Sequence, residues 1–125
     1  MNPLPIFYIK KEYLSRIESG KKRIELRIGE NWKKMAEAIM SGKIQPVAIF
    51  KSGNRTIVRE IYRVEIHGTL KAALGNGRWR SLGLNAKTFH EAVLEIRKLY
   101  KGGGRGPTVL FWLRKPRNKE RNGPL

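Results

Sequence analysis

The 125-residue sequence contains no cysteine and no aspartate, and both absences narrow the chemistry open to it. Without thiols there is no disulfide framework, no zinc knuckle and no cysteine nucleophile, and a reducing, cytoplasmic compartment is expected. All ten acidic residues are glutamate. That excludes aspartate-based metal clusters, aspartyl nucleophiles and the Ser-His-Asp triad, so any catalysis falls to Lys, Glu, Ser, Thr, Tyr or the two histidines. Long apolar runs are missing as well. The N-terminal MNPLPIFYIKKEY has no basic segment followed by an apolar one, so neither a membrane span nor a signal peptide is expected.

What the sequence has in excess is positive charge: 27 Lys and Arg against 10 Glu give a net charge of +17. Such a density attracts polyanions, and nucleic acid is the expected partner, although charge alone does not say which polyanion is bound. With 40% apolar residues the chain can fill one core, and a single domain is expected.

Local patterns place the elements. Pro3 and Pro5 keep the start extended, and Ile6 to Ile9 read as a short strand. Tyr13, Leu14 and Ile17 recur at one-turn spacing, predicting a helix over Lys10 to Ser19 closed by Gly20. KRIELRI alternates, with Ile24, Leu26 and Ile28 on one face and Arg23, Glu25 and Arg27 as a charged outer row. Trp32, Met35, Ala36, Ile39 and Met40 mark a second helix, with Asn31 as its cap and Gly42 as its stop. PVAIFK and TIVREIYRVEI form a hairpin about Ser52-Gly53-Asn54, with a bulge expected near Glu60. A short helix over Thr69 to Leu74 leads into GNGRWRSLGLN, expected to be an irregular basic loop. Thr88 and Glu91 form a capping box ahead of a helix lined by Phe89, Ala92, Val93, Ile96, Leu99 and Tyr100 and ending by Gly102. After the flexible KGGGRGP, the nearly continuous TVLFWL reads as a strand covered on both faces. From Lys115 onward a disordered basic tail is expected, leaving residues 1–114 as the domain. This order suggests an α+β fold, a small β-barrel of about five to six strands flanked by three or so helices.

The segment SGKKRIELR resembles the signature of the ASCH family: a helix ending in glycine, then lysine, two residues, glutamate, one residue and arginine. The matching residues are Gly20, Lys22, Glu25 and Arg27. The similarity runs through IKKEYLSRIESG, the hairpin ending in YRVEIHGTLKAAL, and the late helix with its final strand, roughly residues 6 to 114. One departure is Gln45-Pro46, where the family commonly has Gly-Asp. The resemblance implies a PUA-like barrel with a cleft beside the signature strand, in a family whose members are RNA-associated or act on modified nucleosides.

Lys22, Glu25 and Arg27 form a cation, carboxylate, cation set able to grip a phosphate or orient a base. The plainer reading is a charge-balanced strand face whose pairs each contribute under about 1 kcal/mol. Lys10 and Lys21 would extend the charge of the cleft. Trp79, between Arg78 and Arg80, suits base stacking worth about 1 to 3 kcal/mol, or anchors its own loop. Arg105 sits among glycines whose amides could approach phosphate, yet no GK[ST] follows. Trp32 and Trp112 are expected in the core. His67 and His90 stand far apart with no Cys or Asp beside them, so no metal and no cofactor is expected.

The expectation is therefore a monomeric RNA-binding module using a basic cleft beside GKKRIELR. One alternative is a metal-independent ribonuclease or a modified-nucleoside amidohydrolase with Lys22 and Glu25 as catalytic residues. Against the amidohydrolases of the family, Glu25 stands in the threonine position and Asn85 falls near the place of the catalytic glutamate. DNA binding is the other alternative, because phosphate-driven affinity does not separate the two acids.

Overall fold

A computed structural model describes residues 4–100 and 103–116. Most of the expected basic tail, from residue 117, lies outside the described residues, as does Lys101. The elements are β1 (Ile6–Tyr8), α1 (Lys11–Ser19), β2 (Ile24–Ile28), α2 (Glu30–Met40), β3 (Val47–Ser52), β4 (Arg55–His67), α3 (Leu70–Leu74), a 3₁₀ turn (Arg78–Ser81), α4 (Phe89–Leu99) and β5 (Thr108–Arg114).

The five strands form one sheet in the order β1-β3-β4-β5-β2, with β1 parallel to β3 and every other pair antiparallel. The 13-residue β4 controls its curvature. Its first half, Arg55 to Glu60, pairs with β3, and its second half, Glu60 to His67, pairs with β5. Between the halves the register shifts at Ile61/Arg63, the expected bulge, and bulges bend the strand that carries them. The curled sheet brings its two edge strands close enough for one side chain to span them. The Arg27 guanidinium of β2 donates to the Tyr8 carbonyl of β1 at 2.9 Å. The fold is an α+β half-barrel with helices around it.

Two apolar cores lie on either side of β5, which explains its unbroken apolar run. Val109, Phe111 and Leu113 enter the first core with Phe7, Phe50, Leu14, Ile17, Ala36 and Ile39. Leu110 enters the second, with Ile24, Leu26, Leu70, Ala73, Leu74, Leu82, Ala92, Val93 and Ile96. Phe7 is the hub of the first core. It stacks on Trp32 and Phe50, with ring centroids 4.9 and 5.0 Å apart, and meets Phe111 edge-on at 5.1 Å. At α4 the cap is as read from the sequence: the Thr88 hydroxyl accepts from the Glu91 amide at 3.1 Å.

Several expectations are corrected. The charged row of β2 does not face solvent along its length: Glu25 is buried, because its side of the strand turns into the mouth of the half-barrel. Asn31 does not cap α2, which starts directly after Gly29 without a side-chain cap. Met40 leaves the stripe and is exposed. GNGRWRSLGLN is not wholly irregular, since Arg78–Ser81 forms a 3₁₀ turn. Trp32 and Trp112 are only half-buried. The bulge sends Tyr62 and Arg63 outward, where Arg63 lies 5.5 Å over the Trp112 ring and the indole N–H donates to Glu65 at 2.9 Å.

Truncating Phe7 removes the ring that joins β1, α2 and β5. Phe7→Ala is expected to destabilise the fold by about 3–5 kcal/mol, read as a lower urea midpoint at unchanged slope.

Candidate functional site: a buried ion triad in the mouth of the half-barrel

The site is assembled by a loop pressed against a strand. Ahead of β2, Lys22 forms an isolated antiparallel bridge with Leu82, and the Arg23 amide donates to the Ser81 carbonyl at 2.8 Å. The next loop residue, Gly83, has φ +68°, and a Cβ there would fall 2.6 Å from the Lys22 Cβ. Only glycine lets the loop pass this close to Lys22. The Gly83 carbonyl is held in turn by Arg16 of α1 at 2.7 Å.

This packing directs the Lys22 side chain inward. Its Nζ donates to the carbonyls of Ile24 and Leu82 at 2.8 and 2.9 Å and lies 3.0 Å from Glu25 Oε1. The three donors of an ammonium thus have three acceptors. On the other side Arg27 Nε meets Glu25 Oε2 at 2.7 Å while its second arm reaches Tyr8. The Arg27 guanidinium also lies 5.2 Å over Phe7 and 5.1 Å over Trp32, which ties the triad to the first core. Glu25 is therefore gripped at each oxygen by a different cation. Burial pushes its carboxyl up, but Lys22 and Arg27 outweigh burial and hold it below its ordinary value of 4.5. It is a buried carboxylate that stays charged.

Around it opens a cleft of about 240 Å³ between the sheet edges and α4. Glu25 and Arg27 line it, Lys10 stands at its rim, and Tyr8, Tyr13, Tyr100, Leu84, Ile96 and Leu99 are among its walls. Tyr100 donates to the Leu26 carbonyl at 3.1 Å, and burial pushes its hydroxyl up to about 12. Tyr13 donates to Glu95 at 2.9 Å, and burial, then that carboxylate, push it up to about 12 as well. Both phenols are neutral donors over the physiological range.

Of the residues singled out in the sequence, Lys10, Lys22, Glu25 and Arg27 come together in this cleft. The others lie elsewhere. Lys21 is exposed outside the cleft. Arg78 is bound to the end of α3, donating to the carbonyls of Ala73 and Ala72 at 2.8 Å each. Trp79 packs on the second core with Arg80 5.2 Å over its ring, the loop-anchoring reading. Arg105 borders a different hollow. Asn85 is tied to Arg16 at 2.8 Å, while its amide donates to Glu95. Among the described residues, no group of three or more His and Glu side chains is placed to hold a metal ion. The residues that sequence reasoning missed are Tyr8, Tyr13, Tyr100 and Gly83. Tyr100 and Gly83 are distant in sequence from β2, Tyr8 and Tyr13 lie on the two elements just before it, and nothing local marks any of them as facing a cleft.

A curled five-stranded half-barrel flanked by helices is an α+β fold consistent with a PUA-like barrel. The particular likeness is to ASCH proteins: a crystal structure of ASCH from Zymomonas mobilis matches 88% of this chain and 66% of its own at 14% identity, with TM-score 0.54. Hypothetical protein PH0355 matches 90% of this chain and 98% of its own at 20% identity, TM-score 0.68. Protein PF0455 from Pyrococcus furiosus, solved by NMR, matches 90% and 96% at 17% identity, TM-score 0.59. No family model and no curated protein matches the sequence itself. At these identities the likeness establishes the fold.

Two outcomes follow from the triad. Lys22→Met leaves Glu25 buried with one cation and should cost about 3–5 kcal/mol, whereas Gly83→Ala, through strain and the Lys22 contact, should cost more than about 1 kcal/mol; urea titration checks both. Because the folded carboxyl of Glu25 lies below its unfolded value, its stabilisation is present above pH 4.5 and is lost as pH falls below that value and through the depressed one. Urea midpoints of the wild type should therefore fall more steeply below pH 4.5 than those of Glu25→Gln.

Proposed function

We propose that this chain binds RNA, taking one unpaired base into the cleft so that Glu25 accepts hydrogen bonds from the base's amino or imino N–H groups. The observation that carries the reading is a charged carboxylate, fixed by two cations, lining a cleft that is otherwise mostly apolar and phenolic. A carboxylate has about four lone-pair sites, and Lys22 and Arg27 each engage one oxygen, leaving acceptor capacity toward the cleft. Held this rigidly, it discriminates by hydrogen-bond complementarity: a base edge without an N–H donor leaves the carboxylate's remaining acceptor sites desolvated and unfilled. Tyr8, at the exposed edge of β1, offers a face for stacking, and the tyrosine hydroxyls of Tyr13 and Tyr100 supply neutral polar groups.

The cleft is far too small for a duplex, which favours single-stranded segments, the usual targets of sequence-specific RNA recognition. Lys10 at the rim and the net charge of +17 supply the phosphate-driven part of the affinity. The geometry of Lys22 favours binding over hydrolysis. A lysine acting as base needs an open lone pair facing the substrate, and all three directions about this Nζ end on protein acceptors.

Fluorescence anisotropy with single-stranded RNA, structured RNA and duplex DNA across a salt series tests this, with the RNA checked on a gel afterwards. The expected result is intact RNA, tighter binding to unpaired RNA than to duplex DNA, and about tenfold or greater loss of discrimination among bases in Glu25→Gln. RNA cleaved in a Lys22-dependent way would replace this reading with a hydrolase. Equal affinity for every polyanion, unchanged in Glu25→Gln, would leave the cleft without a role.

A further inference from the structure

Helix α4 separates two cavities. Its Ile96 and Leu99 face the cleft, whereas Arg97 borders a second hollow of about 390 Å³. Three cations from three elements converge on that hollow: Lys71 of α3, Arg97 of α4 and Arg105 of the loop before β5. Among the described residues that line it, none is acidic. Among the described residues, no ion pair or side-chain hydrogen bond joins any of the three to a partner. They differ in this from Arg16, Arg27, Arg55, Arg63, Arg78 and Arg114, each of which has a partner in the fold. Like charges brought together without a counter-ion repel, and an anion seated between them relieves the repulsion.

The hollow is held by packing that extends to the strand carrying the triad. Gly104 is buried at φ +71°, and a Cβ there would come within 3.1 Å of Ile28 Cδ1, with Arg97 Cγ and Leu70 Cδ2 at 3.9 Å. The loop is thereby drawn onto the end of β2 and carries Arg105 with it. Ile28 lies three residues along β2 from Glu25, about 10 Å at the rise of a strand. Ile28 faces away from Glu25 across β2, so it is α4, with Ile96 and Leu99 on the cleft and Arg97 on the hollow, that sets the two openings side by side for one strand to reach both.

We infer that the Lys71, Arg97 and Arg105 hollow is a phosphate site, occupied by a backbone phosphate of the same single strand whose base enters the cleft. This rests on the RNA-binding reading and adds a second, separable contact to it. The phosphate contact fixes the register of the strand, and the cleft reads the base.

The test uses Arg97→Ala/Arg105→Ala, whose side chains are exposed and unpartnered, so folding is not at stake. The control is Lys33→Ala/Lys34→Ala on α2, which removes the same charge from residues lining neither cavity. Binding of a fluorescein-labelled single-stranded RNA is measured against salt, and calorimetry with inorganic pyrophosphate covers a free anion. The hollow variant is expected to bind RNA about tenfold more weakly and to flatten the plot of log K against log salt by about 0.7 for each phosphate it no longer neutralises. Its ranking of bases should be unchanged, and the control should show less than half of either effect. Equal weakening in the two variants would mean a diffuse field and overturn the site. Pyrophosphate binding that the hollow variant abolishes, with RNA affinity intact, would make the site one for free anions and overturn it as a strand contact. RNA binding sensitive to Glu25→Gln and indifferent to Arg97→Ala/Arg105→Ala would reject the hollow alone, and absence of RNA binding in the wild type would reject both readings.

Discussion

The architecture of the site turns on one buried ion triad. Glu25 is covered by protein, and a carboxylate cannot remain there charged unless each oxygen has a cationic partner of good geometry. Lys22 and Arg27 provide them, and each is itself anchored: Lys22 by two carbonyls, Arg27 by the Tyr8 carbonyl and by two aromatic faces. The triad thus connects the Gly83 loop, the edge strand β2, the opposite edge β1 and the aromatic core. An arrangement of this kind is a poor source of stability, since an apolar replacement of similar volume often does as well. Its product is a carboxylate acceptor fixed at a defined point of a cleft.

Curvature of the sheet makes the point accessible. In a flat sheet β1 and β2 would be the two far edges. Because β4 changes partner at its midpoint and bulges there, the edges swing toward each other and the gap between them becomes the cleft. The same bulge turns Tyr62 and Arg63 outward together, beside Trp112 and the Glu65 carboxylate, which burial pushes up but His67, Arg63, Arg78 and the indole together hold below its ordinary value. That outer network staples the 3₁₀ turn and β5 to the second half of β4.

Much of the fold was legible in the residues. The Thr88 cap, the Gly20 stop, the hairpin about Gly53 and the doubly covered β5 are all written in local pattern. The burial of Glu25 was not. Strict alternation in IELRI tells which residues share a face but not which face meets solvent, and on a strand at the closing edge of a curled sheet both faces are partly covered. The triad members were visible through their spacing and their likeness to a known signature. The tyrosine walls and Gly83 were not, because only tertiary contact brings α4 and the Leu82–Gly83 loop to β2, and the α1 stripe does not tell that Tyr13 borders a cleft. Trp79 shows the opposite case: a tryptophan between two arginines has the composition of a stacking platform, yet the ring is taken up by the second core.

Glu25 is a charged carboxylate, held at each oxygen by a cation and still able to accept at the base of a cleft, and carboxyl-carbon NMR of Glu25 tests this most directly. The spectrum is recorded at neutral pH while a short unpaired RNA is added. The account predicts that the side-chain carboxyl carbon of Glu25 resonates as an ionised group before addition and shifts to saturation as the RNA binds, with Glu65 unmoved. RNA that binds while the Glu25 resonance stays fixed, or a Glu25 carboxyl that is protonated at neutral pH, would contradict it.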